Sequence, residues 1–350
     1  MSDDLAELEL LAEQLRIHER SYREGTAELP DSAFDELMER YTVLAERLGV
    51  PSSERLDARP GMDHTEGFQT VEHRFPMLSL EKLSPSRRDN KGAAVPLPEQ
   101  LDAWYDRRRK DLELAPGAAL PLIVEPKIDG ISVSLLYQDG VLRRAVTRGD
   151  GRRGDDITRQ VQESRAVPER LHGVSGELEL RGELFWPHAA FRAYNEILRA
   201  AGERLIVNPR NGCAGLMKRK DPSGLGALGV KAFLYQVVWT RGLELPRRQS
   251  EVLAWLEQAG APAYSSEVFV SDVLAEVLGF CERYQQKRES LEFDIDGMVI
   301  KVEELGLYDR LGSTGHHPHW GIAYKFPPER KPSRLLGVVV QVGKSGKLTP

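Results

Sequence analysis

One lysine in this sequence stands at the end of an apolar run and shortly before an Asp-Gly pair, a position from which it could act as a nucleophile. The run begins at Leu120 and ends in Glu125-Pro126-Lys127, and Asp129-Gly130 follows after a single residue. A strand ending here would partly desolvate Lys127, and desolvation or neighbouring cations favour the neutral, nucleophilic amine. The alternative is an ordinary turn lysine that points to solvent, and this short motif alone does not decide between them.

Further motifs supply the charges that a phosphate-transfer site requires. Arg148-Gly149-Asp150-Gly151 combines glycines that let the backbone approach a phosphate with an arginine that could clamp it. Glu183 lies in a predicted strand, and Lys301 and Lys325 each end an apolar run. Each charge taken alone is most simply a solvent-exposed strand end. Their occurrence together in one chain favours a common site.

The positions of these residues depend on a set of short strands and helices. Alternating or apolar runs bounded by turn residues predict strands over about 120–127, 131–137, 141–147, 178–185, 231–239, 296–302 and 337–343. Apolar residues at helical spacing predict helices near 188–201, 247–259 and 271–289. Because strands and helices do not alternate regularly, the sequence predicts an α+β fold with antiparallel sheets rather than a doubly wound one.

The first fifty residues show apolar residues at helical spacing and no strand-like alternation. Leu5, Leu8, Leu11 and Leu15 recur at helical spacing, Gly25 interrupts the pattern, and a second amphipathic run follows Pro30-Asp31. We therefore predict a helical hairpin module at 1–60, a main domain at 61–332, and the first strand of a further domain at 333–350.

Taken in order, these motifs resemble those of the bacterial NAD-dependent DNA ligases, and the resemblance extends over nearly the whole chain. Lys127 to Gly130 fits the Lys-x-Asp-Gly nucleophile motif of that family. The other matching blocks are Thr147 to Gly151, Gly154 to Thr158, Leu180 to Glu183, Asn208 to Asn211 with the small residues 212–215, His73 with 76–80, and Gln341 to Gly343 with Gly346 and 348–350.

The resemblance implies a nucleotidyltransferase domain in which Lys127 attacks the α-phosphorus of NAD, forms lysyl-AMP and releases nicotinamide mononucleotide (NMN). It assigns Glu125 to the adenine edge, Tyr235 to stacking on the base, and Glu183 to the ribose. The remaining nucleotide-binding residues that it implies are Arg148, Lys301 and Lys325 around the phosphates, and Ser79, Leu80 and Asp129 elsewhere in the pocket. Cationic stabilisation of this kind is what phosphoryl transfer needs. Mg²⁺ is expected, bound mainly through phosphate oxygens and water.

In the same family the helical module captures the NMN half of NAD, which separates it from ATP-using relatives. The matching positions here are Tyr22, Asp31 and Asp35, whereas Arg23 stands where a histidine is usual and Phe34 where a tyrosine is usual. Phenylalanine cannot offer a hydroxyl hydrogen bond, but Arg23 can pair with a phosphate. The resemblance also implies that Arg210 and Lys218 contact the backbone of nicked double-stranded DNA, with Lys218 replacing the usual arginine.

Composition is that of an ordinary globular chain. The 350 residues are 41% hydrophobic and carry a net charge of −6, which argues against non-specific coating of nucleic acid. The two cysteines cannot build a disulfide framework or a four-thiolate zinc site. Without a signal sequence or a membrane-length apolar run, we expect a cytoplasmic monomer. His316, His317 and His319 lack a nearby carboxylate cluster, so we predict a surface loop there and no metal site.

The resemblance implies that a complete ligase continues beyond residue 350 through an OB domain, a zinc module, helix-hairpin-helix repeats and a BRCT domain. Self-adenylylation with NAD is therefore the activity expected of this chain alone. Two alternatives remain open at this stage: an ATP-using or RNA-directed nucleotidyltransferase, and a degenerate nucleic-acid-binding relative.

Overall fold

Amphipathic helices and short antiparallel strands account for most of the ordered elements. The computed structural model describes residues 2–23, 31–51, 55–56, 67–85, 87–88, 92–315, 317–327, 337, 341–342 and 348–349, without the side chains of 2–3, 19–23, 31–33, 35–36, 39, 341–342 and 348–349. In chain order the helices are α1 (Ser2–Arg23), α2 (Asp31–Arg47), α3 (Leu97–Asp111), α4 (Thr158–Ser164), α5 (His188–Ala201), α6 (Pro209–Met217), α7 (Gln249–Gln258), α8 (Leu274–Lys287) and α9 (Tyr308–Leu311).

Strands of two to eleven residues account for the other ordered elements along the chain. In chain order they are β1 (Thr70–Glu72), β2 (Glu81–Leu83), β3 (Leu122–Ile128), β4 (Ile131–Gln138), β5 (Val141–Thr147), β6 (Arg153–Asp155), β7 (Glu177–Phe185), β8 (Lys231–Arg241), β9 (Phe269–Ser271), β10 (Ile295–Val302), β11 (Gly321–Lys325), β12 (Gln341–Val342) and β13 (Leu348–Thr349).

Two sheets form the body of the main domain. Among the described residues, one sheet has the order β2-β11-β10-β3-β9 and the other the order β5-β4-β7-β8. Neighbouring strands are antiparallel except for β11 and β2. The predicted α+β fold with antiparallel sheets is confirmed, and the predicted strands from 120 to 302 match β3, β4, β5, β7, β8 and β10 closely.

Each sheet is covered by helices that contribute apolar side chains. The five-stranded sheet packs against α3 and α8, through side chains such as Trp104 and Tyr284, which are buried. The four-stranded sheet packs against α4, α6 and α7, through side chains such as Val161, Met217 and Leu253. Burying whole apolar side chains in this way is the main stabilisation of such a fold.

At the N-terminus, α1 and α2 pack against each other through the leucine stripe that the sequence predicts. Leu8, Leu11 and Leu15 are buried against Tyr41 of α2, whereas Leu5, which the pattern also includes, is 50% exposed. At the C-terminus β12 and β13 form a two-stranded antiparallel pair. The predicted domain boundaries at 60 and 332 stay predictions. Within the described parts of the chain, no helix has the length and apolar character required to cross a bilayer.

The register of three strands, β5, β8 and β10, is interrupted where a residue has no partner, and Asp296 and Tyr235 are two of these unpartnered residues. In β10, Ile295 pairs with Ile128 and Gly297 with Lys127, which leaves Asp296 as the extra residue of a β-bulge. In β8, Leu234 pairs with Gly182 and Gln236 with Arg181, which leaves Tyr235 as another. Because a bulge re-aims side chains and frees backbone groups, both residues differ from regular strand positions.

Candidate active site

Lys127 lies at the end of β3, where its amine meets a carboxylate shared with a second lysine. Its Nζ donates to Asp296 Oδ2 at 3.0 Å, and Lys325 Nζ donates to the same oxygen at 2.6 Å. The bulge in β10 presents Asp296 between the two amines. The next residue must be glycine, because a Cβ at Gly297 would overlap the carbonyl oxygen of Tyr324 on β11. Two ammonium groups therefore contact one carboxylate, and all three side chains are partly exposed.

The electrostatics of Asp296 follow from those two neighbours. Burial disfavours its ionised form, but the positive charges of Lys127 and Lys325 outweigh burial and hold the pKa of Asp296 below its ordinary range. Its Oδ1 atom is buried and has no hydrogen-bond partner among the described residues. Asp296 is therefore an ionised group that both lysines stabilise through a single oxygen.

A second ion pair lies further along the same two strands and is fully buried. Lys301 Nζ donates to Glu125 Oε2 at 2.7 Å and to the backbone carbonyl of Tyr235 at 3.0 Å. The Lys301 side chain is 4% exposed and that of Glu125 is 2% exposed. The same amine lies 5.3 Å from the centroid of the Tyr235 ring. Gln249, the first residue of α7, donates to Glu125 Oε1 at 3.0 Å.

The structure separates Lys301 from the phosphate-binding group in which the resemblance placed it. Lys127 is opposite Gly297 on β10, and Lys301 is four residues further along that strand, opposite Ile123. At roughly 3.3 Å per residue this distance is about 13 Å between Cα atoms. The physical reason is that Glu125, a buried carboxylate, requires a cation beside it. Lys301 therefore belongs with Glu125 and Tyr235, whereas Lys325 does lie beside Lys127.

Glu183 lies across the cavity on β7, within a third set of charged groups. Its Oε2 accepts a hydrogen bond from Ser132 Oγ at 2.8 Å. Burial raises the pKa of Glu183 to about 7, although the charges of Arg210 and Lys127 act in the opposite direction. Arg210 Nη1 donates to Asp129 Oδ1 at 2.6 Å, so the acid of the Lys-x-Asp-Gly motif is already paired.

The position of Arg210 is set by the start of α6. Asn208 caps this helix, because its side-chain oxygen accepts from the backbone N–H of Asn211 at 2.8 Å. Arg210 then points into the cavity, where the sequence had suggested only a DNA contact. Lys218, the other residue predicted to contact DNA, follows the end of the same helix and does not line the cavity.

Arg148 holds residues 77–79 in place, and these residues form part of the wall of the cavity. Its Nε donates to the carbonyl of Met77 at 3.2 Å and its Nη2 donates to Ser79 Oγ at 2.7 Å. His73 lies behind this wall, with Nε2 3.0 Å from the carbonyl oxygen of Thr147, and burial lowers the pKa of His73. The predicted residues Ser79 and Arg148 are therefore in direct contact.

These groups surround a single cavity of about 1020 Å³ between the two sheets. All but one of the predicted pocket residues of the main domain line its walls. These lining residues are Ser79, Leu80, Glu125, Lys127, Arg148, Glu183, Tyr235, Lys301 and Lys325. The exception, Asp129, contacts the lining residue Arg210. His18 of α1 and Phe34 of α2 also border the cavity, so the N-terminal helices reach its rim.

The side chains of Tyr22, Arg23, Asp31 and Asp35 lie outside the described part of the structure, and so does His316. His317 and His319 lie in the irregular connection between α9 and β11, where they are partly buried, and a ring nitrogen of each lies close to a backbone carbonyl. His317 Nδ1 is 3.1 Å from the oxygen of Ser79, and His319 Nδ1 is 2.9 Å from that of Leu311. The described side chains contain no cluster of three histidine, cysteine or acidic groups suited to a metal ion.

Comparison with known proteins gives a consistent result. Residues 65–329 match the family described as the NAD-dependent DNA ligase adenylation domain. The chain is 38% identical over 349 residues to the DNA ligase of Hahella chejuensis, covering 98% of this chain and 49% of that protein. It is 38% identical over 330 residues to the DNA ligase of Synechococcus sp. (strain CC9902), covering 93% of this chain and 46% of that protein.

Among solved structures, mycobacterial DNA ligase D complexed with ATP and MES overlaps 59% of this chain and 54% of that chain, at 12% identity and a TM-score of 0.29. That structural overlap is too weak to assign a family, so the assignment rests on the sequence matches. They place the chain in the class of DNA ligase domains. The chain belongs to the family of NAD-dependent DNA ligase adenylation domains, as its motifs indicated, and it spans about half the length of the curated relatives it matches.

Proposed function

We propose that this chain transfers AMP from NAD to Lys127 and releases NMN. The observation that carries the proposal is the shared carboxylate, since Asp296 holds Lys127 and Lys325 against one oxygen in a cavity large enough for a nucleotide. The amine of Lys127 forms a bond to the α-phosphorus, and the bond to the bridging pyrophosphate oxygen breaks. That oxygen leaves with the electron pair as part of the NMN phosphate.

When the Lys127 amine gives up its proton to solvent water and attacks, Asp296 stays paired with Lys325 and is not left as an unpaired negative charge. The three groups carry a net charge of +1 when both amines are protonated, and they are neutral once Lys127 becomes the free amine. Lys325 keeps its 2.6 Å contact with Asp296 throughout and remains available to a phosphate oxygen. Fixed cations at the position where charge develops are the main catalytic device in phosphoryl transfer.

The base would bind at the other end, beside Glu125 and Lys301. A carboxylate acceptor next to an ammonium donor complements the edge of adenine, on which the six-amino group donates and the adjacent ring nitrogen accepts. Tyr235, whose ring borders the same space, is suited to stack on the base. This role for Lys301 replaces the phosphate contact that the resemblance implied, and the position of Lys301 supports it.

Between these two ends, Glu183 and Arg148 face the span that the ribose and phosphates would occupy. Glu183 can accept from ribose hydroxyls when ionised, and Arg148 can turn a guanidinium N–H toward a phosphate oxygen. Mg²⁺ would find no ready-made cage among the described side chains, because Asp129 and Asp296 are already paired with cations. A metal would instead be held by phosphate oxygens and water, where it would help neutralise the phosphates.

The NMN half of NAD would lie toward the rim formed by α1 and α2, where His18 and Phe34 border the cavity. We assign NMN binding to Tyr22, Arg23, Asp31 and Asp35 on the strength of the family resemblance. Transfer of AMP to the 5′-phosphate of nicked double-stranded DNA, with Arg210 and Lys218 near the DNA backbone, would require the longer protein. A cytoplasmic location and a monomeric state also stay predictions.

The test is intact-mass measurement of the purified chain after incubation with NAD and Mg²⁺. We expect one added AMP on the wild-type chain and none on Lys127→Ala, with fragment spectra placing the adduct at residue 127. Substituting Lys110, which is exposed at the end of α3, provides the matched control and should leave the adduct unchanged. An adduct formed from ATP but not from NAD would instead favour the ATP-using alternative. Absence of an adduct from both donors would favour the non-catalytic relative.

A further inference from the structure

Gln249 is a buried polar side chain for which the reaction described above has no use. It is 1% exposed and stands at the start of α7, where its backbone N–H donates to the carbonyl of Glu303 at 2.9 Å. Its side chain points away from that contact and toward the base-binding end of the cavity. A glutamine so deeply buried must have its hydrogen bonds satisfied, since an unpaired amide costs free energy.

The side-chain amide makes two hydrogen bonds from one nitrogen. Nε2 donates to Glu125 Oε1 at 3.0 Å and to the backbone carbonyl of Tyr235 at 2.8 Å. An amide nitrogen has two hydrogens, so both are used. Both partners are acceptors, and the opposite orientation would direct the amide oxygen at them. The contacts therefore fix which way the Gln249 amide faces.

Glu125 is consequently held at both of its oxygens. Lys301 occupies Oε2 and Gln249 occupies Oε1, so the plane of the carboxylate is fixed by one charged and one neutral donor. The carbonyl of Tyr235 is freed by the bulge in β8, and it accepts from the same two residues. Gln249 thus joins β3, β8 and α7 at the point where the base would bind.

We propose that Gln249 is a positioning residue that orients Glu125 and thereby sets a preference for a purine with an amino group at its six position. The inference rests on the proposed function, because it requires a nucleotide in this cavity. A six-oxo purine would turn a carbonyl toward the Glu125 carboxylate, and two acceptors repel. That penalty is largest when Glu125 cannot turn aside, which is what the contact with Gln249 ensures.

The test compares AMP with inosine monophosphate, its six-oxo counterpart, by calorimetric binding to the wild-type chain and to Gln249→Met. Methionine has a similar length and no donor, and the carbonyl of Tyr235 keeps its bond from Lys301 in this variant. Gln258→Met, at the exposed end of the same helix, is the matched control. Adduct formation with NAD and with its hypoxanthine analogue, in the presence of Mg²⁺, is measured on the same proteins.

We expect Gln249→Met to weaken AMP binding by about tenfold, which is the effect of removing one hydrogen bond to a charged group. Binding of inosine monophosphate should change by less than about twofold, so the AMP-to-inosine ratio falls by nearly the same factor as AMP affinity. The control should keep the wild-type ratio. In adduct formation the change should appear in the NAD concentration that gives the half-maximal rate rather than in the maximal single-turnover rate.

An unchanged ratio in a folded Gln249→Met would overturn the proposal, because a merely structural role would weaken both nucleotides equally. If that variant does not fold, Gln249→Asn, which keeps the amide but is shorter, should give a smaller fall in the same ratio, and an unchanged ratio overturns the proposal again. Absence of an adduct from the wild-type chain refutes the proposed function alone, since nucleotide binding still tests Gln249. Failure of the wild-type chain to bind either nucleotide overturns both.

Discussion

Replacing Asp296 by asparagine removes the one negative charge that Lys127 and Lys325 share. Asparagine keeps the shape of the side chain, so the perturbation is electrostatic: two ammonium groups face each other across a neutral amide. Breaking a buried ion pair costs about 3–5 kcal/mol, and exposed pairs are worth under about 1 kcal/mol. These side chains are 18% to 28% exposed. We therefore expect a loss of about 2 kcal/mol in the free energy of unfolding at pH 7.

The dependence of this loss on pH follows from the direction of the pKa shift. Burial opposes ionisation of Asp296, but the two lysines outweigh it and depress the pKa of the folded state below the ordinary value of 3.8. A depressed carboxyl pKa stabilises the fold fully above the unfolded pKa, and the contribution is lost as pH falls through the folded pKa. Protonated Asp296 resembles asparagine, so the difference between the two proteins should shrink below about pH 4.

Urea unfolding of the wild-type chain and Asp296→Asn, from pH 7 down to the lowest pH at which both fold, measures this difference. Asp294→Asn is the matched control two residues earlier, because Asp294 pairs at 2.9 Å with His188 and its side chain is 42% exposed. The control should cost no more than about 0.5 kcal/mol. A difference for Asp296→Asn that stays constant with pH, or a control that costs as much, would refute the electrostatic argument.

Three further outcomes are expected. Gly212→Ala should cost about 1–3 kcal/mol in urea unfolding, because the new Cβ would lie 2.8 Å from the indole ring of Trp186, whereas Gly215→Ala on the same helix meets nothing within 4 Å and should be neutral or stabilising. Glu183→Gln should match the wild-type stability at low pH and exceed it as pH rises from 4.5 to about 7. The reason is that a carboxyl group whose pKa is raised by folding makes the folded state less favourable once the group ionises. Equal stability of the two proteins at pH 8 would count against this prediction. Lys301→Met should cost about 3 kcal/mol by leaving a buried carboxylate unpaired, and substituting glutamine for that carboxylate as well should recover part of the loss in a double-mutant cycle.

The regular elements of this fold could be predicted from the sequence because they follow local patterns. Strand alternation and helical spacing located β3, β4, β7, β10 and α5 to within a few residues. The nucleophile candidate Lys127 and the second cation Lys325 were also predictable, since both end apolar runs and belong to motifs of the family. What these predictions share is that neighbouring residues in the chain contain the signal.

The contacts that organise the cavity have no such local signal. Asp296 is the first residue of the strand predicted at 296–302, but its position between two lysines depends on a bulge created by pairing with β3. Gln249 reaches a carboxylate 124 residues earlier in the chain, and Arg210 reaches an aspartate 81 residues earlier. The contact of Lys301 with Glu125 could not be read from the sequence, because strand register is a tertiary property. A lysine at the end of an apolar strand can equally serve a phosphate or a buried carboxylate.

The β-bulges at Asp296 and Tyr235 explain how the cavity between the two sheets acquires two chemically different ends. At one end the bulge presents the carboxylate of Asp296 to the reacting amine, and at the other it frees the carbonyl of Tyr235 for side-chain donors. Gly297 and Lys301, which mark those ends on β10, are about 13 Å apart by strand geometry, a distance comparable with the length of an extended nucleotide. A bulge forfeits ladder hydrogen bonds, and at Tyr235 the side chains of Lys301 and Gln249 donate to the carbonyl instead. Restoring regular pairing at either bulge, by deleting its extra residue, should therefore strengthen the sheet while removing one end of the site.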